Sequence, residues 1–283
     1  MNSAMSTTTA MRMARLKLPE GACDCHVHIR GPESRYPYGA DRRYTPPDAT
    51  TDDYIAMARR VGIARAVLVQ PSVYGADNRA ILDALREQKM PLRAIAVVDD
   101  AVNDATLREY DALGVRGLRL RPGKGPLAEQ LLRAAERIAP LGWHAQLRIG
   151  AKDYPALEAT LARFPVDFVI DHIGQVPVSE GVDGAAFAAI RRLARNPRCW
   201  IKLSAPMRMS AQAYPYADVD PYVRALMDVT TDRLLWATDW PHTNLEAAVP
   251  DDADLVDLIE RWIPDAGLQR QILVDNPARL YRF

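Results

Sequence analysis

The stretch Ala22–Ile29, ACDCHVHI, carries two histidines one residue apart on a run that otherwise reads as a β-strand. Side chains on a strand alternate with period two, so His26 and His28 share a face and converge on one thing: a metal ion, a substrate, or the packed interior of a sheet. By the same alternation Cys23 and Cys25 turn away from the histidines and read as small core residues. What the pair serves depends on what the rest of the chain builds around it.

Outward from that strand the pattern recurs. Short β-branched or apolar runs at 64–71, 92–99, 115–121, 143–149, 166–173, 199–205 and 233–240 bring the strand candidates to eight. Between them lie TTDDYIAMARRVG, DNRAILDALREQ, NDATLREYDALG, LAEQLLRAAERIAPLG, YPALEATLARFP, GAAFAAIRRLARNP and DPYVRALMDV, each with apolar residues at three- and four-residue spacing. Several open on Thr, Asp or Asn as N-caps and close on Gly or before Pro. Strands alternating with helices in this way predict the α/β class and a parallel (β/α)8 TIM barrel in a single domain, 21–283, behind a flexible leader over 1–20. An open doubly wound sheet also alternates, but no repeat or linker marks a second domain. The Pro-, Gly- and charge-rich segment RGPESRYPYGADRRYTPPDATT reads as a long loop at the barrel mouth, where such loops are more often functional than not.

Composition narrows the function classes. With Lys+Arg and Asp+Glu both at 36 in 283 residues, no global charge points to nucleic acid or an anionic membrane surface. No apolar stretch approaches the roughly 18 to 20 residues that span a bilayer, and the N-terminus lacks a secretory-type apolar core. Three cysteines, Cys23, Cys25 and Cys199, form neither a disulfide framework nor a C-x-x-C pair. The expectation is a cytoplasmic protein, monomer or homodimer, whose recognition is local.

In a (β/α)8 barrel the site forms where the strands end. His26 and His28 close the first strand; QPSVYG, RLRPGKG, QLR, DHIG, KLSAPMRMS and ATDWPH stand at the ends of later ones. A single histidine at a strand end is usually a hydrogen-bonded structural residue. An H-x-H pair with Asp239 beside it on barrel closure, and His172 ending the sixth strand, favours function. His144 begins its strand, at the wrong end, and His242 reads as a brace for the last loop. Arg119 and Arg121 share a strand face that Arg148 can approach from the neighbouring strand. Guanidinium groups there need anionic partners: either internal Asp or Glu, or a carboxylate-bearing substrate held bidentately. PGKG lacks the spacing of a phosphate-binding loop.

DCHVHI, ADRRYTPPDAT, QPSVYGADN, RGLRLR, DHIG, KLSAPMRMS, ATDWPH and DNPARLYRF together resemble the amidohydrolase superfamily, in its branch of pyrone-dicarboxylate and sugar-acid lactonases. The resemblance runs from about Gly21 to the C-terminus. It implies hydrolysis of a small carboxylated lactone, with Asp239 as the general base and His26, His28 and His172 around the scissile carbonyl, their N–H groups stabilising the oxyanion. It also implies substrate-carboxylate contacts from Tyr44, Ser72, Arg119 and Arg208. The chain departs from the branch in two places: PGKG, with only Lys124, replaces a loop arginine after the fourth strand, and QLRIG replaces an aromatic and acidic stretch on the fifth. Arg121 and Arg148 stand where they can compensate.

No cofactor is expected. Metal-dependent relatives complete the site with a lysine or glutamate on the fourth strand or a histidine on the fifth, where this chain has Arg119, Arg121, Gln146 and Arg148, and cations repel a divalent ion. The alternative is one zinc or manganese ion on His26, His28, His172 and Asp239. The rival functions are a sugar-acid lactone hydrolase or isomerase, a metal-dependent decarboxylase, and a catalytically silent barrel that binds an organic acid.

Overall fold

The computed structural model describes residues 12–120, 125–245 and 248–283. Eight parallel strands follow one another in chain order: β1 Cys23–Val27, β2 Arg65–Val69, β3 Leu92–Ala96, β4 Val115–Leu120, β5 His144–Leu147, β6 Phe168–Ile170, β7 Cys199–Ser204 and β8 Leu234–Ala237. Each expected strand forms, shorter than its apolar run. The ring closes where β8 meets β1: the Asp239 N–H donates to the His26 carbonyl (3.1 Å) and the His28 N–H to the Trp240 carbonyl (2.9 Å). Buried Asp24 braces this seam, accepting from the Thr238 N–H (3.0 Å), the Thr238 hydroxyl (2.5 Å) and the His26 N–H (3.2 Å). Burial pushes its pKa up to about 6, against the pull of those bonds.

The seven helical segments also form: α1 Thr51–Val61, α2 Arg79–Glu87, α3 Asp104–Leu113, α4 Leu127–Ile138, α5 Tyr154–Leu161, α6 Ala185–Leu193 and α7 Asp220–Met227. Thr50 caps α1 in a reciprocal box with Asp53, and Gly62 ends it at φ 84°, a left-handed value that costs glycine little. After β8 come helices the sequence pattern did not separate, among them α8 Asp252–Trp262, capped by Asp251.

The helices cover the outward strand residues, Leu68, Leu118, Leu147, Phe168, Ile170, Ile201 and Leu203 among them. A second cluster of Cys23, Cys25, Val67, Val69, Ile95, Val169, Trp200, Leu235 and Ala237 fills the barrel interior. Two residues beyond Val169, Trp200 and Ala237 on their strands stand Asp171, Lys202 and Asp239, so this cluster is the floor under the site. The two cysteines are therefore core residues as expected, but they lie beneath the histidines and not on the opposite face. The β1 register shifts between Asp24 and Val27, and this irregularity breaks the strict alternation.

The expected flexible leader also needs correction over 12–20. Arg12 pairs with Asp254 (2.5 Å) and Asp257 (2.7 Å), and the backbone N–H groups of Arg15 and Leu16 donate to Asp257 at 2.7 and 3.0 Å, tying this segment to α8. The long loop after β1 is pinned at its base by reciprocal Arg30–Ala49 backbone bonds, and its Tyr36 and Tyr38 pack on Val73 and Tyr74 at the mouth. Among the described residues no helix is long and apolar enough to cross a membrane.

Candidate active site

Closure of β8 on β1 puts Asp239 against the histidine pair. One oxygen, Oδ1, lies 3.8 Å from His26 Nε2, 3.8 Å from His28 Nε2 and 3.6 Å from His172 Nε2. The other, Oδ2, accepts from Arg208 Nε at 2.7 Å. Asp239 and His172 hold φ values of 69° and 52°, left-handed for residues with a Cβ, a strain on the order of 1 kcal/mol each that clusters at functional sites.

The hydrogen-bond network assigns the protons. His28 Nδ1 lies 2.7 Å from the Val69 carbonyl, which can only accept, so His28 carries its proton there and presents a lone pair at Nε2. His26 Nε2, 3.2 Å from that lone pair, is the donor. With its proton on Nε2, His26 accepts at Nδ1 from the ammonium of Lys202 (3.2 Å), and the Asp171 carboxylate lies 3.3 Å from the same nitrogen. Burial, reinforced by nearby cations, holds the pKa of all three imidazoles well below the ordinary histidine value, so each is neutral at pH 7. Of the three imidazoles expected to donate to an oxyanion, neutral His28 in this arrangement has no proton to offer at Nε2. His172 Nδ1 bonds the Ser204 hydroxyl (2.8 Å).

Beneath His26 lies a buried ionic layer. Lys202 donates to Gln146 Oε1 (2.8 Å) and lies 3.2 Å from Asp171 Oδ1; Gln146 Nε2 donates to Asp171 Oδ2 (3.1 Å), and Arg119 stands 3.8 Å from that oxygen. Burial pushes the Asp171 carboxyl up, but Lys202, His172 and Arg119 outweigh it and hold the pKa below the usual carboxylate value. Burial lowers the Lys202 pKa, with Asp171 opposing. Sequence reasoning passed over Lys202 and Asp171; the signal available was a lysine midway along a strand otherwise apolar on both faces.

Of the expected substrate contacts, the Tyr44 hydroxyl and Ser72 Oγ come within 3.5 Å of each other at the mouth. Arg208 braces Asp239, and its Nη2 donates to the Thr243 carbonyl (3.0 Å). Arg148 is exposed at the rim, its side chain in none of these bonds. Arg121 and Lys124 lie outside the described residues. His144 lies in the floor at the start of β5, and His242 bonds Asp252 (2.9 Å) as a brace of the last loop.

His26, His28 and Asp239 bring one ligand atom each within 4.8 Å of one another, as do His26, Asp171 and His172. Neutral imidazoles and a carboxylate are donors suited to zinc or manganese, and the Nδ1–H of His28 on a carbonyl is a common arrangement behind a metal-bound histidine. His26 Nε2 would ligate with the imidazole proton on Nδ1, which faces both the Lys202 ammonium (3.2 Å) and the Asp171 carboxylate (3.3 Å).

The family model described as Amidohydrolase matches residues 23–283. The chain is 39% identical over 280 residues to a 2-pyrone-4,6-dicarboxylate hydrolase of Comamonas testosteroni, covering 94% of this chain and 92% of that protein. It is 38% identical over 271 residues to a 4-sulfomuconolactone hydrolase of Rhizobium radiobacter, covering 93% and 91%. The crystal structure of a probable 2-pyrone-4,6-dicarboxylic acid hydrolase from Acinetobacter baumannii, with citric acid bound, superposes with a TM-score of 0.80 at 27% identity, covering 93% of this chain and all of that one.

Proposed function

The chain belongs to the amidohydrolase family, and from that premise we propose that it hydrolyses a small carboxylate-bearing lactone of the 2-pyrone-4,6-dicarboxylate kind, with Asp239 as general base. The observation that carries this is the single carboxylate oxygen facing three neutral imidazoles at 3.6 to 3.8 Å while Arg208 holds the other oxygen. Those spans exceed hydrogen bonds and match polar groups bridged by a third atom.

Water deprotonated by Asp239 Oδ1 adds to the ring carbonyl, a step in which general-base help is worth about 10²- to 10⁴-fold. The oxyanion takes the Nε2–H of His26, which Lys202 holds in place by occupying Nδ1. As the tetrahedral carbon collapses, the ring C–O bond breaks and the leaving oxygen recovers the proton from Asp239, opening the ring to a chain acid. The relatives' substrates support an acidic lactone, since both are lactones carrying acidic groups.

We assign this chemistry to the protein's own groups. Arg208 already compensates the charge of Asp239, and the Nε2 proton of His26 occupies the direction an ion would need. A divalent ion on His26, His28, His172 and Asp239 would instead supply Lewis-acid polarisation of the carbonyl. A panel of carboxylated and neutral lactones, followed as acid release, tests the activity; no turnover of any carboxylated lactone overturns it. Protein stripped by chelator and checked by elemental analysis keeps its activity on this proposal. Activity lost on stripping and restored by stoichiometric zinc or manganese makes the histidines ligands.

A further inference from the structure

Arg30 stands two residues beyond His28, at the start of the long mouth loop, and is only 3% exposed. Arg119 has Asp171 near it and Arg208 has Asp239; Arg30 has no carboxylate within ion-pair distance among the described residues. Its Nη1 donates to the Thr243 hydroxyl, and its buried Nε has no hydrogen-bond partner among the described residues. The N–H of Gly31, the next residue, donates to the Tyr74 hydroxyl (2.8 Å), in the aromatic cluster of Tyr36, Tyr38 and Tyr74 on which Tyr44 packs; burial lowers the Arg30 pKa, with Tyr44, Tyr38, Tyr74 and Asp48 opposing. A guanidinium cannot shed its proton near neutral pH, so its desolvation stands largely uncompensated in the protein alone.

Thr243 joins this arginine to the catalytic base. Its hydroxyl takes Arg30, its carbonyl takes Arg208, and Arg208 grips Asp239. On the other side Tyr44 leads to Ser72. Arg30 is also close enough to help depress the His28 pKa. A cation lies beside the reacting centre with hydroxyl groups around it, which is the chemistry that receives an oxyanion.

We infer that Arg30, a residue outside the carboxylate contacts the family resemblance implies, receives an anionic ring substituent of the substrate, a carboxylate or a sulfonate, and so selects for lactones that carry one at a fixed ring position. This rests on the lactonase assignment above and adds the position-selective residue.

The test compares 2-pyrone-4,6-dicarboxylate with 2-pyrone-4-carboxylate and 2-pyrone-6-carboxylate. Arg30→Met lowers kcat/KM on the dicarboxylate and on one monocarboxylate by about 10- to 100-fold, and on the other by less than about threefold, as for one lost charge-assisted contact. An equal loss on all three overturns the subsite, and so does no loss. Calorimetric binding of pyridine-2,4-dicarboxylate, pyridine-2-carboxylate and pyridine-4-carboxylate repeats the contrast without turnover. If wild-type protein hydrolyses none of the lactones, the lactonase assignment fails while this binding series still decides Arg30. Should Arg30→Met not fold, Arg30→Lys gives the same contrast at reduced size, because the charge remains and the bidentate fork is lost. A uniform change with Lys rejects the proposal.

Discussion

His26 and His28 are two residues apart on one chain segment, yet they belong to unlike halves of the site. The inner half around His26 is prepaid in partners: Lys202, Gln146 and Asp171 form a buried ring of charge-assisted bonds that sets an ammonium and a carboxylate against His26 Nδ1. The outer half around His28 is left looser, with the Tyr44–Ser72 contact at the limit of a hydrogen bond and the buried Arg30 Nε without a hydrogen-bond partner among the described residues. On the proposals above, the inner half sets the protonation state before substrate arrives, and the substrate's anionic group completes the outer half. Catalytic rate should therefore answer to the first half and recognition to the second.

The largest expected effect comes from acid, which attacks the inner half. His26, His28 and His172 hold folded-state pKa values depressed below 6.5, and His144 in the floor is lowered to about 3. Below pH 6.5 the unfolded chain binds protons that the folded one refuses. Stability is therefore fully present above 6.5 and falls as the pH drops, by about 1.4 kcal/mol per pH unit for each such histidine. Asp24, raised to about 6, works in the opposite sense between pH 4 and 6 and trims the slope. Denaturant titrations between pH 7 and 5 should show several protons taken up on unfolding. A stability independent of pH over that range would falsify the neutral, buried imidazoles.

Next in size is the group joining the halves. Asp239→Asn keeps the shape and the bond from Arg208 through its amide oxygen but cannot take a proton, so kcat should fall by about 10²- to 10⁴-fold with ligand binding retained. A loss under about tenfold would make Asp239 structural. Arg208→Met should act through the same carboxylate and reduce turnover of neutral and carboxylated lactones alike.

The barrel and the positions of His26, His28, His172 and Asp239 were legible because strand ends and period-two alternation leave few choices. The floor was not: placing Cys23 and Cys25 required the irregular register of β1, which no residue type announces. Lys202 and Asp171 were hidden for another reason. Each is tolerable in a core only because the other is there, and that pairing joins neighbouring strands, β7 and the end of β6, on the inner face of the barrel, which the pattern within either strand alone does not show. The motif of Arg208 points to a substrate contact; its bond to Asp239 is a further role that depends on how the loop after β7 meets the end of β8.

Lys202→Met isolates the inner half. It removes the ammonium that keeps His26 Nδ1 an acceptor, so kcat should drop by about 10- to 100-fold while KM for a carboxylated lactone changes little. Lys202 also helps depress the His26 pKa, and its loss leaves Asp171 facing the imidazole. The acid limb of the kcat profile should move to higher pH. A loss of activity with an unmoved acid limb would mean that Lys202 only supports packing.

The smallest effect isolates the outer half. Tyr44 is half-buried against Tyr36, Tyr38 and Tyr74, and its hydroxyl makes a single described contact, 3.5 Å to Ser72. Tyr44→Phe keeps the ring and its packing, so Tm should stay within about a degree or two of wild type. The hydroxyl is a neutral donor to a substrate oxyanion, worth about 0.5 to 1.5 kcal/mol net. KM for the dicarboxylate should then rise by about 3- to 10-fold at unchanged kcat, the converse of Lys202→Met. If kcat falls instead while KM holds, the phenol belongs with the proton-setting groups, and the division between the two halves does not hold.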